Sequence, residues 1–450
     1  MVVQKFGGTS VADADAIRRL AGIVRTARQR DGAGPAVVVS AMSKVTDTLL
    51  RLAADAGDGR LPEALTQVDS LRARHLAAAS NLAPHAEGLT AVINAEIDNL
   101  AAVVRALAVL REVSPRTLDV IAAMGELLSS RIIAAALTAD GIEAEWVDAR
   151  LAIVTDGEHT RAAPLTAETN AAIAAHVIPV LNRGHVPVIG GFVGASRDGY
   201  TTTLGRGGSD YSGALVGAGI GATEIQIWTD VDGMLTADPR IVAEPRLVPH
   251  LSFDEAAELA YFGAKVLHPS TILPAVERDI PVRILNSRKP DGSGTIITAK
   301  STPSDTPLTA LACKPDVTVV DITSSRMLMA YGFLRRVFEV FERYRTAVDV
   351  VTTSEVTVSV TVDDTRNLDA IVTALADFAT VTVEPEMALL CAVGDRLRNE
   401  PSIAARAVGV LEEVPLRMIS QAASRRNITV ILRQADLSHA MHRLHEEFFT

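Results

Sequence analysis

The sequence predicts an α/β chain: a mostly parallel sheet sandwiched by helices, followed by two smaller modules of β-α-β-β-α-β type. Three observations carry that expectation. Short aliphatic strands alternate with long helical stretches through the first 300 residues, a rhythm that builds parallel sheets with helices on both faces. Only 4% of the 450 residues are aromatic although 48% are hydrophobic, so the core is packed from Ala, Val, Leu and Ile, as in strands buried on both sides. Past the polar, Pro-containing stretches 287–291 and 301–307 the elements shorten and change order.

In chain order, residues 2–6 read as a buried strand, 13–29 as a helix, 36–40 as a strand and 44–56 as a helix. From about 61 to 110 apolar residues recur at threes and fours, which makes about 60–112 a helical insert. Ser114 before Pro115 marks a helix start, because the hydroxyl caps and proline suits the first turn. Strands return at 143–147, 186–189, 224–228 and 282–285, closing a first domain, 1–300. Next come strand 317–322, helix 333–344, strands 348–352 and 356–362, helix 368–378 and strand 381–383, the ferredoxin-like plan. A second copy runs through strand 388–393, helix 403–411, strands 415–419 and 427–432, and helix 437–447. It leaves no room for a final strand before Thr450. Strand 308–312 is therefore assigned to it, giving modules 301–385 and 386–450 with the first inserted in the second.

The formal charge of −11, without any basic run, argues against nucleic-acid or anionic-membrane partners. The two cysteines, Cys313 and Cys391, have neither metal-ligand nor disulfide spacing, which fits a reducing compartment. The N-terminus enters a strand directly and no run approaches the ~20 apolar residues of a membrane span, so a cytoplasmic protein is expected.

Four stretches carry chemistry. Lys5-Phe6-Gly7-Gly8-Thr9-Ser10 follows a strand and precedes a helix, where glycines admit a phosphate and free N–H groups attract it. Its spacing is not that of a P-loop, and a Gly-Gly turn is also a plain tight connection. Thr201 to Asp210 holds Gly205-Arg206-Gly207-Gly208-Ser209-Asp210 at a helix start. There Arg206 can clasp a carboxylate with its planar fork, or the segment is a capped helix with a surface ion pair. Trp228-Thr229-Asp230-Val231-Asp232-Gly233, with Asp238-Pro239-Arg240 beyond, lies at the carboxyl end of a strand, where open α/β sheets place ligands; an Asx turn is the other reading. Phe262-Gly263-Ala264-Lys265-Val266-Leu267-His268-Pro269 sets a lysine in apolar surroundings that call for a counter-charge, whereas His268 reads as structural. Gly217-Ala218-Gly219-Ile220-Gly221-Ala222 has dinucleotide-site spacing but follows a helix and precedes a strand, so it reads as a helix-ending turn.

Together and in this order, these stretches resemble the aspartate kinases of the amino-acid kinase superfamily, from Val2 to the C-terminal end and most densely over 201–286. The tail resembles paired ACT modules. The chain is similar to the monofunctional, lysine-sensitive branch and ends without the homoserine dehydrogenase half of bifunctional relatives. The resemblance implies the amino-acid-kinase fold and transfer of the γ-phosphate of MgATP to the β-carboxylate of L-aspartate. The product is 4-phospho-L-aspartate, in the first step of the lysine/threonine/methionine pathway, with feedback by lysine. It further implies that Lys5, Gly7, Gly8 and Thr9 line the phosphoryl-transfer site, with Lys5, Gly8 and Asp210 catalytic. Ser40 and Thr46 would hold aspartate, Glu126 its ammonium and Arg206 its α-carboxylate, with Ser209 and Asp210 completing the pocket. Thr229, Asp230, Arg240 and Lys265 would contact nucleotide, with Leu235 where many relatives have tyrosine.

Effector residues by the same likeness are Met327, Phe333, Leu334, Val348, Asp349, Thr353, Ser354 and Glu355. Ala330 and Ala347 stand where the branch tends to have serine, which leaves threonine as a second effector candidate. Mg²⁺ arrives on the nucleotide, no protein metal site is expected, and ACT pairing implies a homodimer or dimer of dimers. The alternatives are a kinase for glutamate, N-acetylglutamate, carbamate or UMP, and a non-catalytic amino-acid sensor on a kinase scaffold. The paired tail argues against the first, and intact Lys5, Glu126, Arg206, Asp210 and Lys265 against the second.

Overall fold

The computed structural model describes every residue except 265, 266, 268, 301–307, 325–330, 396, 398, 399, 422 and 423. It divides into two compact units: Met1–Met234, Pro249–Phe253 and Val266–Lys300; and Leu235–Val248, Asp254–Lys265 and Ser301–Thr450. A single cut near residue 300 therefore does not separate them, because segments between 235 and 265 find their partners in the C-terminal unit. The Leu311 N–H donates to Thr236 O (2.7 Å), and the Thr236 hydroxyl meets His445 Nε2 at 2.9 Å. Ala237 and Val242 share a core with Leu308 and Leu311, and Asn427 Nδ2 donates to Glu258 (2.7 Å).

Among the described residues, the first unit is built on eleven strands: β1 (Val2–Phe6), β2 (Ala36–Val39), β3 (Ala144–Val147), β4 (Val154–Thr155), β5 (Val186–Gly190), β6 (Val193–Ser196), β7 (Thr201–Thr203), β8 (Glu224–Thr229), β9 (His250–Ser252), β10 (Val282–Asn286) and β11 (Thr295–Thr298). Eight of them form one sheet in the order β3-β5-β2-β1-β8-β10-β11-β9. Pairing is parallel from β3 to β10, and β11 runs antiparallel to β10. All four residues of β2 are buried, as a strand covered on both faces requires. A second, three-stranded sheet (β4-β6-β7) hangs the segment before Arg206 beside the main one.

Helix Pro115–Ala139 is the spine of this unit. Ser114 Oγ accepts from the Thr117 N–H (3.2 Å), and Pro115 opens the first turn. Its length and composition would suit a membrane span, yet 83% of its apolar window is buried, which makes it a core helix. The helical insert is a hairpin, Leu61–Leu82 and Leu89–Leu110, whose Val68, Leu71, Ile93, Ile97 and Val104 join the same core. The decoy glycine run ends helix Gly208–Ile220: Gly221 is left-handed (φ 62°) and the Ala222 N–H caps Gly217 O (2.9 Å).

The second unit holds β12 (Ala310–Thr323), β13 (Val351–Thr353), β14 (Thr357–Val362), β15 (Thr380–Val393), β16 (Leu416–Gln421) and β17 (Asn427–Arg433). They form one antiparallel sheet, β13-β14-β12-β15-β17-β16. Strands expected separately at 308–312 and 317–322, and at 381–383 and 388–393, are continuous here. Pairing of β12 with β15 persists through an irregularity between Lys314 and Val319, with Asp316 and Glu386 both left-handed (φ 58°). Ala310–Cys313 lies against Leu390–Val393, which in turn pairs with β17.

The strand expected at 348–352 is shorter, because the Val350 N–H is taken by the Thr361 hydroxyl (2.9 Å) rather than by a neighbouring main chain. Helix Phe333–Arg343 buries Phe333, Val337, Val340 and Phe341, one face at helical spacing, against Val320, Val358 and Val360. Helices Pro401–Gly409 and Leu437–Phe449 cover a separate core around Leu390, Val430 and Met441. Burial pushes the Cys391 thiol up to about 12 and half-buried Cys313 up to about 11, so neither is poised to react.

Candidate active site

Parallel pairing brings the carboxyl ends of β1, β2, β5 and β8 to one edge of the sheet, where four turns enclose a cleft of about 570 Å³. The first turn leaves β1. The Gly7 N–H donates to Trp228 O (2.9 Å), and a Cβ on Gly8 would press within 3.3 Å of Ala41 O, so glycine eases the close approach of the two turns. The second turn leaves β2, its Ser40 N–H bound to Phe6 O (3.0 Å) and Lys44 left-handed (φ 64°). Arg74, from the helical insert, donates to both Ser43 O and Ala12 O (2.8 Å each) and holds these two turns together. The third turn carries Arg206 between Gly205 and Gly207, both at φ 74°, and opens helix Gly208–Ile220 with Asp210 in its first turn. The fourth is Thr229–Asp230, after β8.

Lys5, the penultimate residue of β1, reaches into the cleft and pairs with Asp210 (Nζ–Oδ1 2.6 Å). Gly213 permits this, since a Cβ there would sit 3.2 Å from Lys5 Cβ. Glu126 projects from helix Pro115–Ala139. Its neighbours close in: a Cβ on Gly125 would lie 2.7 Å from Ala41 Cβ, and one on Gly190 3.1 Å from Glu126 O. The Glu126 side chain is buried and Oε2 has no hydrogen-bond partner among the described residues. Burial pushes its carboxyl up to about 8, against the opposing effects of the Ala41 main chain, its own main chain and the charge of Lys5. A buried carboxylate with one oxygen left unpartnered beside a cleft is a receptor for a ligand cation.

Of the residues singled out from sequence, Lys5, Gly7, Gly8, Thr9, Ser40, Thr46, Glu126, Arg206, Ser209, Asp210, Thr229 and Asp230 line this one cleft. Arg206 is exposed, and among the described residues no carboxylate pairs with it. Leu235 and Arg240 belong to the other unit. Leu235 bridges Leu247, and exposed Arg240 forks onto Asp238 (2.6–3.1 Å) in an Asx-type turn. Lys265 and Met327 lie outside the described residues, as do His268 and Ala330.

The remaining effector candidates all fall in the C-terminal unit. Phe333 is buried against Phe378, and Val348 packs on the same core. Leu334 is exposed, Ser354 closes the turn to Thr357 (3.1 Å) with exposed Thr353 and Glu355 beside it, and Asp349 is bound by Lys314 (3.0 Å). Sequence reasoning missed Ser43, Lys44, Asp47 and Phe192, which also line the cleft. Their only signal was position on the turns that follow β2 and β5 or, for Asp47, on the first turn of helix Val45–Gly57. Among the described residues no group of three or more His, Cys, Asp or Glu is placed to hold a metal ion.

A cation and an acidic partner facing glycine turns at a sheet's carboxyl edge define a phosphate-handling α/β enzyme, and residues 1–286 match the amino acid kinase family. Residues 390–448 match the ACT domain. The chain is 36% identical to lysine-sensitive aspartokinase 3 of Escherichia coli over 100% of its own length and 99% of that protein's. It is 38% identical to the chloroplastic aspartokinase 3 of Arabidopsis thaliana, over 99% and 81% respectively. Its structure superposes on that of E. coli aspartokinase III in complex with aspartate and ADP (R-state) with TM-score 0.85 and 36% identity, covering all of both chains. On the complex of the same enzyme with lysine and aspartate (T-state) the TM-score is 0.84, at 35% identity. The chain belongs to the aspartokinases of the amino acid kinase family.

Proposed function

We propose that the chain transfers the γ-phosphoryl group of MgATP to the β-carboxylate of L-aspartate, releasing ADP and 4-phospho-L-aspartate. One observation carries the reading most: the buried Glu126 carboxylate, whose Oε2 has no partner among the described residues, shares a cleft with the Lys5–Asp210 pair and exposed Arg206. An amino acid with an α-ammonium and α-carboxylate satisfies Glu126 and Arg206 at once and leaves its side chain free to react. A β-carboxylate oxygen forms the new bond to the γ-phosphorus as the bond to the bridging oxygen of ADP breaks. The nucleophile is already anionic near neutral pH, so no general base is needed.

Catalysis then rests on alignment and charge neutralisation. Lys5 follows the migrating group, Asp210 aims Lys5, and the N–H groups of Gly8 and Thr9 receive phosphate oxygens, while the Gly7 N–H holds the turn against Trp228 O. Ser40, Thr46 and Ser209 border the aspartate, and Thr229 and Asp230 the nucleotide. By family likeness alone, Leu235, Arg240 and Lys265 are also assigned to nucleotide. Mg²⁺ enters as part of the nucleotide substrate.

ADP formation that requires aspartate and is not supported by glutamate is the expected outcome of a coupled assay; ADP release indifferent to the amino acid would refute the reading. Arg206→Ala should raise the aspartate KM roughly 10- to 150-fold, the loss of a hydrogen-bonded charge contact, with little change in the ATP KM. An unaltered aspartate KM would remove Arg206 from the clamp.

The same reading makes the C-terminal unit an amino-acid sensor in a cytoplasmic enzyme. An effector inhibits only by preferring a state in which the catalytic groups are misaligned. Lysine is the effector named for the E. coli relative, and Phe333, Leu334, Val348, Asp349, Thr353, Ser354 and Glu355, with Met327, are the residues we assign to it. Suppression of turnover by lysine is expected, and suppression by threonine alone would reassign the sensor. Strands β13 and β16 end the regulatory sheet, and edge pairing there gives a homodimer or a dimer of dimers. A monomer in sedimentation, with or without amino acids, would contradict that assembly.

A further inference from the structure

The chemistry above gives no task to Asp119, a fully buried carboxylate in the catalytic unit. It sits on helix Pro115–Ala139 two turns before Glu126, about 10 Å along the same axis. Three donors converge on it: the Thr160 N–H on both oxygens (3.0 and 3.1 Å), His159 Nδ1 on Oδ2 (2.6 Å) and the Thr203 hydroxyl on Oδ1 (2.5 Å). An ionised carboxylate only accepts, so His159 carries a proton on Nδ1.

These donors come from the two segments that frame the Arg206 turn. Thr203 ends β7, three residues before Arg206, and its carbonyl accepts from the Ala162 N–H (2.9 Å). The Thr160 carbonyl lies 3.4 Å from where a Cβ on Gly205 would stand. Thr160 itself is left-handed (φ 70°), a conformation a β-branched residue adopts only when its surroundings hold it there.

We propose that Asp119 is a positioning residue. It ties the Arg206 turn to the helix carrying Glu126, and so fixes the spacing between the carboxylate clamp and the ammonium acceptor. The inference rests on the substrate roles given above to Arg206 and Glu126, but it concerns a residue that touches neither substrate.

Thr203→Val removes one donor without changing side-chain shape, and Asp119→Asn keeps size while turning an acceptor into a donor. Each should raise the aspartate KM roughly 3- to 10-fold, in proportion to one or two hydrogen bonds, with the ATP KM within about twofold of wild type. Thr203→Ser, which keeps the hydroxyl, should restore the wild-type value. In an Arg206→Ala background Thr203→Val should add less than about twofold, because its effect passes through Arg206. An unchanged aspartate KM, equal rises in both KM values, or full additivity with Arg206→Ala would overturn the proposal. If Asp119→Asn does not fold, the Thr203 series decides alone. Absence of aspartate-dependent turnover in the wild type would instead defeat the functional reading, and the proposal with it. Wild-type turnover with silent Thr203 variants defeats the proposal only.

Discussion

Replacing Lys5 by alanine is expected to lower kcat roughly 10²–10³-fold, the usual cost of removing one charge-stabilising donor from a transition state, with the aspartate KM nearly unchanged. The reason is differential. Lys5 lies on a strand of the central sheet, 7% exposed, and meets charge that builds on the transferring phosphoryl group rather than the charge of ground-state aspartate. Its removal also leaves Asp210 as an unneutralised anion beside incoming phosphates. Lys5→Met combined with Asp210→Asn should therefore recover part of the loss suffered by Lys5→Met alone. Steady-state and single-turnover kinetics read this directly. Turnover retained by Lys5→Ala would take Lys5 out of the mechanism.

Glu126→Gln should raise the aspartate KM by a comparable factor, because the ammonium loses its one buried anionic partner. Its pH behaviour is more diagnostic. With the free carboxyl at about 8, most molecules at pH 7 hold Glu126 protonated, yet an ammonium is bound by the ionised form. Aspartate affinity should therefore rise about tenfold per pH unit up to pH 8 and level off above it, with close to one proton released on binding at pH 7.

Stability moves the other way. The folded protein holds this proton more tightly than the unfolded chain, where the carboxyl titrates near 4.5. Stability from the group is full below that value, falls as pH rises toward 8, and is flat beyond. The total loss is on the order of 5 kcal/mol, because each unit of difference is worth about 1.4 kcal/mol. Glu126→Gln escapes that loss, so it should melt above wild type at pH 8 and match it near pH 4.5, while aspartate stabilises only the wild type. Thermal scans at both pH values, with and without aspartate, test this. A variant no more stable than wild type at pH 8 would show that the Glu126 site is not desolvated in the way its burial indicates.

Much of the catalytic unit was legible because its information is local. Strands β1, β2, β5 and β8 are aliphatic runs bounded by turn residues, and the glycine-rich turns that follow β1 and β7 announce themselves through composition. What stayed hidden is long-range. The run of threonines before Leu204 reads as part of a motif, and nothing nearby says that it is β7, paired with β6. The antiparallel edge strand β11 and the joining of two predicted modules through β12 and β15 are facts of pairing, and pairing leaves no mark within one segment.

The site divides in the same way. Lys5 and Arg206 sit in distinctive neighbourhoods. Asp119 is one acidic residue in an apolar helix, and its partners His159, Thr160 and Thr203 lie 40 to 84 positions away. That residues 235–248 and 254–264 pack with the C-terminal unit is not visible locally, because their apolar residues show only that they are buried, not against which core.

Phosphorylation of an aspartate carboxylate oxygen in the Lys5–Glu126 cleft gives an acyl phosphate, which is trapped by hydroxylamine. Incubating the protein with MgATP, hydroxylamine and aspartate, with glutamate in parallel, should give hydroxamate from aspartate alone and far less from Lys5→Ala. No hydroxamate from aspartate, or equal amounts from both amino acids, would contradict the account.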